Sequence, residues 1–509
     1  MTATFERLGP DVARTWAGAN VYLVRTRDGA VAIDAGDGSW VEDLPSLRFG
    51  PLVAVLATHH HRDGTSGLPR LAATGVPVFV PETELGFFTD APGFWLRREH
   101  LNSYNNRQDR FTPVEDVPGV RPLRDYDRVT IGGQTFLAQP TPGHTTGSVS
   151  LVTDLAGERV AFTGDLISAG GTLPDLAATQ WSYNGGEGLA GTVLSCLDLL
   201  DAGVATAYPQ HGAVVTGFPE AARVLIERLR ELMALRRHNP RLLDLHAHPY
   251  DEVVPRVLFN RTSMANAYVI TCGGEGLAID FGYDFMFGQP AGTDRASRRP
   301  WLHTLPALKA QHGVTVTAAI PTHYHDDHVA GLNLLRRVYG TRILLPASFA
   351  GILERPEAHR LPCLWYDPIP ADETLPLNEW LAWRDVRYRL HPMPGHTRYA
   401  VGIEVELDDR RLIFVGDQYA DGDALGLNYV YENVFDPRDY VRTAELLRRV
   451  RPSLLLTGHW APVVVTDGML DTLEERGREL ERLHATLQPQ GPAQRLVLTP
   501  YHRFSRPGE

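Results

Sequence analysis

Short apolar runs, each closing on a polar or charged residue, recur along the chain in a fixed order. AVAI before Asp34, LVAVLA at 52–57 and VPVFVP at 76–81 read as buried strands. They are too short for helices, rich in branched residues and bounded by turn formers. A second set repeats the first: GLAI before Asp280, VTAAIP at 316–321 and RILLP at 342–346. In each set a helix-like segment separates the second run from the third. Charged amphipathic patterns around 219–237 and 467–486 predict a closing helix for each set.

The landmarks between these runs also come in pairs, which makes the chain an internal tandem repeat. Asn20 precedes Asp34 by 14 residues, as Asn266 precedes Asp280. ATHHHRDGTSG at 57–67 answers PTHYHDDHVAG at 321–331. TPGHTTGS, with His144, answers MPGHTRYA, with His396, and the distance to the following Gly-Asp pair, Asp165 or Asp417, is 21 residues in both copies. YPQHGAVV, with His211, answers LTGHWAPVV, with His459. The spacing predicts a first domain over 1–237, a linker over 238–255, a second domain over 256–488 and a Pro-rich tail over 489–509 with one possible strand. Asp280 to His323 is 18 residues longer than Asp34 to His59, and the extra segment, rich in Gly, Pro and Ser, reads as a loop.

Composition narrows the class. A formal net charge of −12 over 509 residues disfavours nucleic acid as a partner. No apolar run approaches the ~20 residues that span a bilayer, and the first residues lack the basic start and apolar core of a secretory signal. The three scattered cysteines, Cys196, Cys272 and Cys363, are expected to be free thiols. A cytoplasmic protein acting on a small molecule is expected, and no sequence feature specifies an oligomer.

The candidate chemistry lies in His323-x-His325-x-Asp327-His328. In an extended loop, residues two apart point the same way, so His323 and His325 can reach one ion. Asp327 and His328, one step on, can turn toward a second. Imidazole and carboxylate suit zinc, iron or manganese. Tyr324 and Asp326, set between ligands, are expected to point away, as is His60 in the first copy. His246 and His248 form an HxH and, like His303 and His391, which lack a motif, read as surface or packing histidines. Tyr429 and Tyr431 read as packing residues, with a substrate-facing role as the alternative.

A strand ending in Asp, then HxHxDH, PGHT, GD and a late His together resemble the metallo-β-lactamase fold superfamily, and the resemblance covers about 230 residues of each half. It implies two tandem αββα sandwiches, of the α/β (α+β) class, with metals at one edge. It implies that His323, His325 and His396 hold one metal, that Asp327, His328 and His459 hold a second, and that Asp417 bridges them. Asp280 would orient the ligand loop from behind. Two zinc ions are expected in the second domain, with iron or manganese as alternatives. Such a pair activates a shared water near neutral pH and clamps the reacting oxygens, and Asp327 or a metal-bound water is the candidate for moving a proton to the leaving group.

In the first copy His59, His61 and His144 retain the first position, with Asp165 as the bridging candidate. The second keeps Asp63 and His211, but Gly64 stands where a histidine is expected, leaving room for a water, and no cysteine beside Asp165 replaces the lost ligand. This copy is expected to hold reduced metal, at most one ion at the first position, and to be auxiliary or weakly active. The resemblance implies a metallohydrolase cleaving an ester, thioester or lactone with a metal-bound hydroxide, the chemistry lying in the second domain. The alternatives are a mononuclear iron oxidoreductase similar to persulfide dioxygenases, and phosphodiester or β-lactam hydrolysis on the same site.

Overall fold

A computed structural model describes residues 3–97, 111–179, 188–237, 239–286 and 295–487. The possible strand in the tail and much of the long loop, residues 287–294, lie outside the described residues. The chain divides into two compact units, one of Met1–Leu243 with Phe285–Arg299, the other of Asp244–Asp284 with Pro300–Glu509.

In the first unit a seven-stranded sheet runs, in spatial as well as chain order, through Glu6–Arg7, Val12–Trp16, Asn20–Arg25, Ala30–Ile33, Leu52–Leu56, Val78–Pro81 and Arg121–Leu123. Its first four strands pair antiparallel and its last four parallel. The near-continuous apolar runs follow from burial on both faces. Val21, Leu23, Ala30, Ala32 and Val55 pack with Trp40, Leu44, Leu68 and Leu71 on one side. Tyr22, Val24, Val31, Ile33 and Leu56, one step out of phase, pack on the other against Phe136, Val149, Leu151 and Phe162. Those last residues belong to a six-stranded sheet ordered Val215–Thr216, Thr206–Pro209, Glu158–Gly164, Val149–Leu155, Gln134–Pro140 and Arg128–Ile131. The outer helix Phe218–Arg236 begins with Pro219 in its first turn and buries Phe218, Ala222, Leu225, Leu229 and Met233 along one stripe.

The second unit repeats this strand order. Its seven-stranded sheet runs Tyr250–Val254, Val257–Asn260, Ala267–Cys272, Glu275–Ile279, Thr315–Ile320, Arg342–Pro346 and Glu373–Leu375. Its six-stranded sheet runs Trp380–Trp383, Val386–Pro392, Val401–Leu407, Arg410–Gly416, Leu454–Thr457 and Val463–Val464. The helices Asp439–Val450 and Asp467–Leu487 cover that sheet; Tyr440, Leu447, Leu470 and Leu473 pack on Ile413, Val415 and Leu455. The 238–255 segment, expected as a linker, carries the helix Leu242–Ala247 and the strand Tyr250–Val254, which pairs with Val257–Asn260 as the first strand of the second unit. No described helix is long and apolar enough to cross a membrane. All three cysteines are free, and burial pushes the Cys196 thiol up to about 12.

Arg299, at the end of the long loop, is 2% exposed inside the first unit. Its guanidinium donates to both carboxylate oxygens of Asp125, at 2.6 and 2.5 Å, and to the carbonyls of Thr146 and Ser148, at 2.8 and 3.0 Å. The fork thus ties down the turn that follows His144. Arg299→Ala removes the guanidinium from a buried carboxylate and two carbonyls, and is expected to destabilise this unit by about 3–5 kcal/mol. Denaturant unfolding checks this. Adding Asp125→Leu should recover only part of the loss, because the Thr146 and Ser148 carbonyls still lack the guanidinium.

Candidate metal centres

Both units build their centres on the loops at one end of the two sheets. In the second unit the strand Thr315–Ile320 runs into Thr322–His325 and the short helix Asp326–Val329. His325 keeps an extended backbone, so its ring lies on the same side as that of His323; the helical turn then swings Asp327 and His328 around. His396 comes from the loop after Val386–Pro392, and Asp417 directly follows the strand Arg410–Gly416. Gly416 has φ 52°, and a Cβ there would lie 2.6 Å from Thr322 Oγ1 and 3.2 Å from His323 Nδ1. A glycine before the aspartate therefore lets the two sheets' loops close on each other.

Among the described residues three groups of ligand-type side chains converge, each with its donor atoms within 4.8 Å of one another: His323, His325, His396 and Asp417; Asp327, His328, Asp417 and His459; His59, His61 and His144. In the first, His325 Nδ1 faces His396 Nε2 at 3.2 Å, and the latter lies 3.6 Å from Asp417 Oδ2. In the second, His328 Nε2 is 3.1 Å from Asp417 Oδ1, while His459 Nε2 is 3.1 Å from Asp417 Oδ2 and 3.2 Å from Asp327 Oδ2. Asp417 is common to both.

The opposite edge of each ring is held by protein. Asp280, at φ 60°, turns its carboxylate back to accept from Thr322 N at 2.6 Å and Thr322 Oγ1 at 2.9 Å. Its Oδ2 also meets His328 Nδ1 at 2.9 Å, and Thr322 Oγ1 in turn meets His323 Nδ1 at 3.2 Å. His396 Nδ1 is 2.7 Å from the Asn428 carbonyl, and His459 Nδ1 is 3.1 Å from that of Met264. These partners fix which nitrogen of each ring faces inward.

The first unit repeats part of this. Asp34, again at φ 60°, accepts from Thr58 N at 2.8 Å, and Thr58 Oγ1 meets His59 Nδ1 at 3.1 Å. His61 Nδ1 faces His144 Nε2 at 2.8 Å, with Asp165 Oδ2 3.5 Å beyond. The late histidine differs. His211 turns its Nδ1 onto Asp165, at 2.9 Å, and its Nε2 lies 3.5 Å from Asp63, which is exposed. Asp63 and His211 are therefore placed near Asp165 but outside the three-histidine group.

Of the remaining residues, Tyr324 points away and donates to Asn433 at 2.7 Å, and Tyr283 donates to Asp326 at 3.3 Å. His60 turns to Glu84, at 3.0 Å. His391 is buried against Glu404, at 2.6 Å, and His303 is buried, with its ring 6.4 Å from and nearly parallel to that of His246. Tyr429 stacks on Phe435 at 4.4 Å, and Tyr431 is exposed. Two contributors were missed in the sequence. Asn433 lies with its amide 3.1 Å from His325 Nε2 and donates to the His396 carbonyl at 3.1 Å. Gln418 accepts from His396 N at 3.2 Å, and its place directly after the Gly-Asp pair was its only clue.

The donor set fits divalent transition metals. His323 Nε2 and His59 Nε2 are buried, point inward and have no hydrogen-bond partner, a costly arrangement unless something binds them. Burial, with neighbouring rings adding to it, pushes His325 down to about 3 and His323 well below its ordinary range; His396 is lowered mainly by burial. His59 likewise falls to about 3. These rings are neutral, as ligation requires. At the second position burial is outweighed. Asp417, Asp280 and Asp327 hold His328 well above its usual value, and hydrogen bonds to Asp327 and Asp417 hold His459 at about 10. Burial pushes Asp34 up to about 7, whereas His144 and His211 overcome burial to hold Asp165 at about 2.

The two positions should therefore differ in proton release. With no cation bound, His328 and His459 carry protons at neutral pH that an arriving cation must displace, so affinity there should climb as pH rises toward about 10. Affinity at the His323, His325 and His396 position should be nearly flat around pH 7. Calorimetry in buffers of different ionisation enthalpy checks this; equal proton release at both positions contradicts it.

The sequence matches the family described as the Metallo-beta-lactamase superfamily over residues 14–236 and 261–459. It is 29% identical over 244 residues to an atrochrysone carboxyl ACP thioesterase of Aspergillus chevalieri, covering 44% of this chain and 64% of that protein. It is 34% identical over 151 residues to a hydroxyacylglutathione hydrolase of Alkalilimnicola ehrlichii, covering 29% of this chain and 45% of that one. The chain spans less than two thirds of the length of these relatives. Among solved structures, the DIM-1 metallo-beta-lactamase aligns at 19% identity and a TM-score of 0.35, over 45% of this chain and 96% of that one. With its family matched across both repeats, the chain belongs to the metallo-beta-lactamase superfamily.

Proposed function

We propose that the protein is a metal-dependent hydrolase of a small-molecule thioester, with esters and lactones as the neighbouring substrate classes, and that the chemistry lies in the second unit. One observation carries this reading: two groups of donors, the buried His323/His325/His396 and the partly buried Asp327/His328/His459, meet at a shared carboxylate, Asp417. The thioester preference draws on the relatives named thioesterase and hydroxyacylglutathione hydrolase.

The first group would hold one cation and the second another, with Asp417 between them; zinc suits this imidazole-rich set, with iron and manganese next. Bound cations would supply Lewis acidity and a water activated near neutral pH. The chain's own residues do the rest. Asp280 and Thr322 keep His323 and His328 aimed inward. Asp327, partly exposed and in contact with His459, is placed to take the proton that the attacking water gives up and pass it to the departing thiolate. No side-chain nucleophile is needed. The first unit, with three histidines and no histidine at Gly64, is auxiliary.

His323→Ala is expected to lower kcat/KM on acyl-thioesters by more than about 100-fold, the upper range for loss of a partner that only supports a ligand. Asp280→Asn should weaken metal affinity by about 10–100-fold while sparing the fold. A chelator should abolish turnover and added zinc restore it. Elemental analysis beside a thioester, ester and lactone screen checks all three. A protein that takes up no metal on reconstitution ends this reading; iron with oxygen uptake on a persulfide replaces it with an oxidoreductase.

A further inference from the structure

The two repeats share one backbone frame around the second metal position. Gln210 N donates to the Gly164 carbonyl at 2.8 Å, and its own carbonyl accepts from Asn20 N at 2.8 Å. Gly458 makes the same two bonds, to Gly416 at 2.7 Å and from Asn266 at 2.5 Å. Likewise the carbonyl of Gly64 accepts from Ala35 N and that of His328 from Phe281 N, each at 2.8 Å. Gly64 therefore corresponds to His328, and Gln210 to Gly458.

Within that frame the side chains are exchanged. A Cβ on Gly64 would lie 2.0 Å from Gln210 Nε2 and 2.6 Å from its Cδ. A Cβ on Gly458 would lie 2.0 Å from Asp417 Oδ1 and 3.0 Å from His328 Cε1. The first unit has no room for a side chain at both places; in the second, a side chain at 458 would meet the Asp417 carboxylate first and press on the His328 ring. The volume expected to admit a water beside Gly64 is filled instead by the Gln210 side chain, which is 1% exposed.

We propose that Gln210 plugs the second metal position of the first unit, restricting that unit to a single cation at His59, His61 and His144, and that Gly64 with Gln210 forms a matched exchange for His328 with Gly458. A neutral amide is a poorer ligand than imidazole for transition metals, so the plug removes a donor as well as space. His211, with no imidazole partner across the position, closes onto Asp165 directly. The inference rests on the three-histidine group holding metal, and is independent of whether the second unit hydrolyses thioesters.

Because the exchange is matched, Gly64→His alone should add no metal: the new ring collides with Gln210. The double variant Gly64→His/Gln210→Gly should bind one more ion per chain than the wild type. The test uses the full chain reconstituted with zinc, read by elemental analysis, with cobalt absorption as a second readout and melting curves to establish folding. The reciprocal variant His328→Gly/Gly458→Gln should bind one ion fewer, which keeps the proposal testable if the first double variant does not fold. The proposal is overturned if Gly64→His alone gains the ion, if the folded double variant gains none, or if the folded reciprocal variant loses none. Each result is a difference between variants, so absent thioesterase activity would sink the functional reading without touching it.

Discussion

One carboxylate organises the second unit. Asp417 sits at the end of a central strand of the six-stranded sheet, buried, with an imidazole within 3.1 Å of each oxygen. Carboxylates and imidazoles are brought out of water here, and the inward Nε2 of His323 has no hydrogen-bond partner. Those at the first position are kept neutral by burial; those at the second are kept protonated by three acids. An apo protein resolves this only with protons, whereas two cations satisfy both halves at once. The rest of the site serves that arrangement. Asp280 braces the loop from the seven-stranded sheet, and Gly416 allows the loop from the other sheet to approach within contact.

The tandem repeat provides an internal comparison, since the same frame appears with and without the complete donor set. In the first unit the three histidines of the first position and their Asp34–Thr58 brace persist. The changes include a diagonal pair, Gly64 with Gln210, and the ring of His211, which meets Asp165 through Nδ1. Burial pushes Asp34 up to about 7 against hydrogen bonds from Thr58 and Gln210; in the second unit the His328 ring lies 2.9 Å from the Asp280 carboxylate. A single replaced ligand thus propagates to the residue behind it and the residue across from it.

Much of this was legible in the sequence because the motif residues sit where strands end. Asp34, His59, Asp165 and their counterparts each follow an apolar run, and a strand terminus fixes both position and direction. The two sheets, their closing helices and the convergence of His323, His325, His328, His396, Asp417 and His459 follow from that. Other features were not legible. The strand Tyr250–Val254 was hidden because its exposed Asp251 and Glu252 give it a linker's composition; only pairing with Val257–Asn260 makes it a strand. Asn433 and Arg299 act through contacts across more than 100 residues, with nothing local to mark them. Gln210 could be recognised only by comparing both repeats at two positions together.

The most direct test of the central claim is anomalous diffraction at the zinc edge from crystals of the reconstituted full-length protein. The account requires two peaks in the second unit, one within bonding distance of His323, His325 and His396 and one within bonding distance of Asp327, His328 and His459, with Asp417 touching both. A single peak there, or two that do not share Asp417, would contradict it.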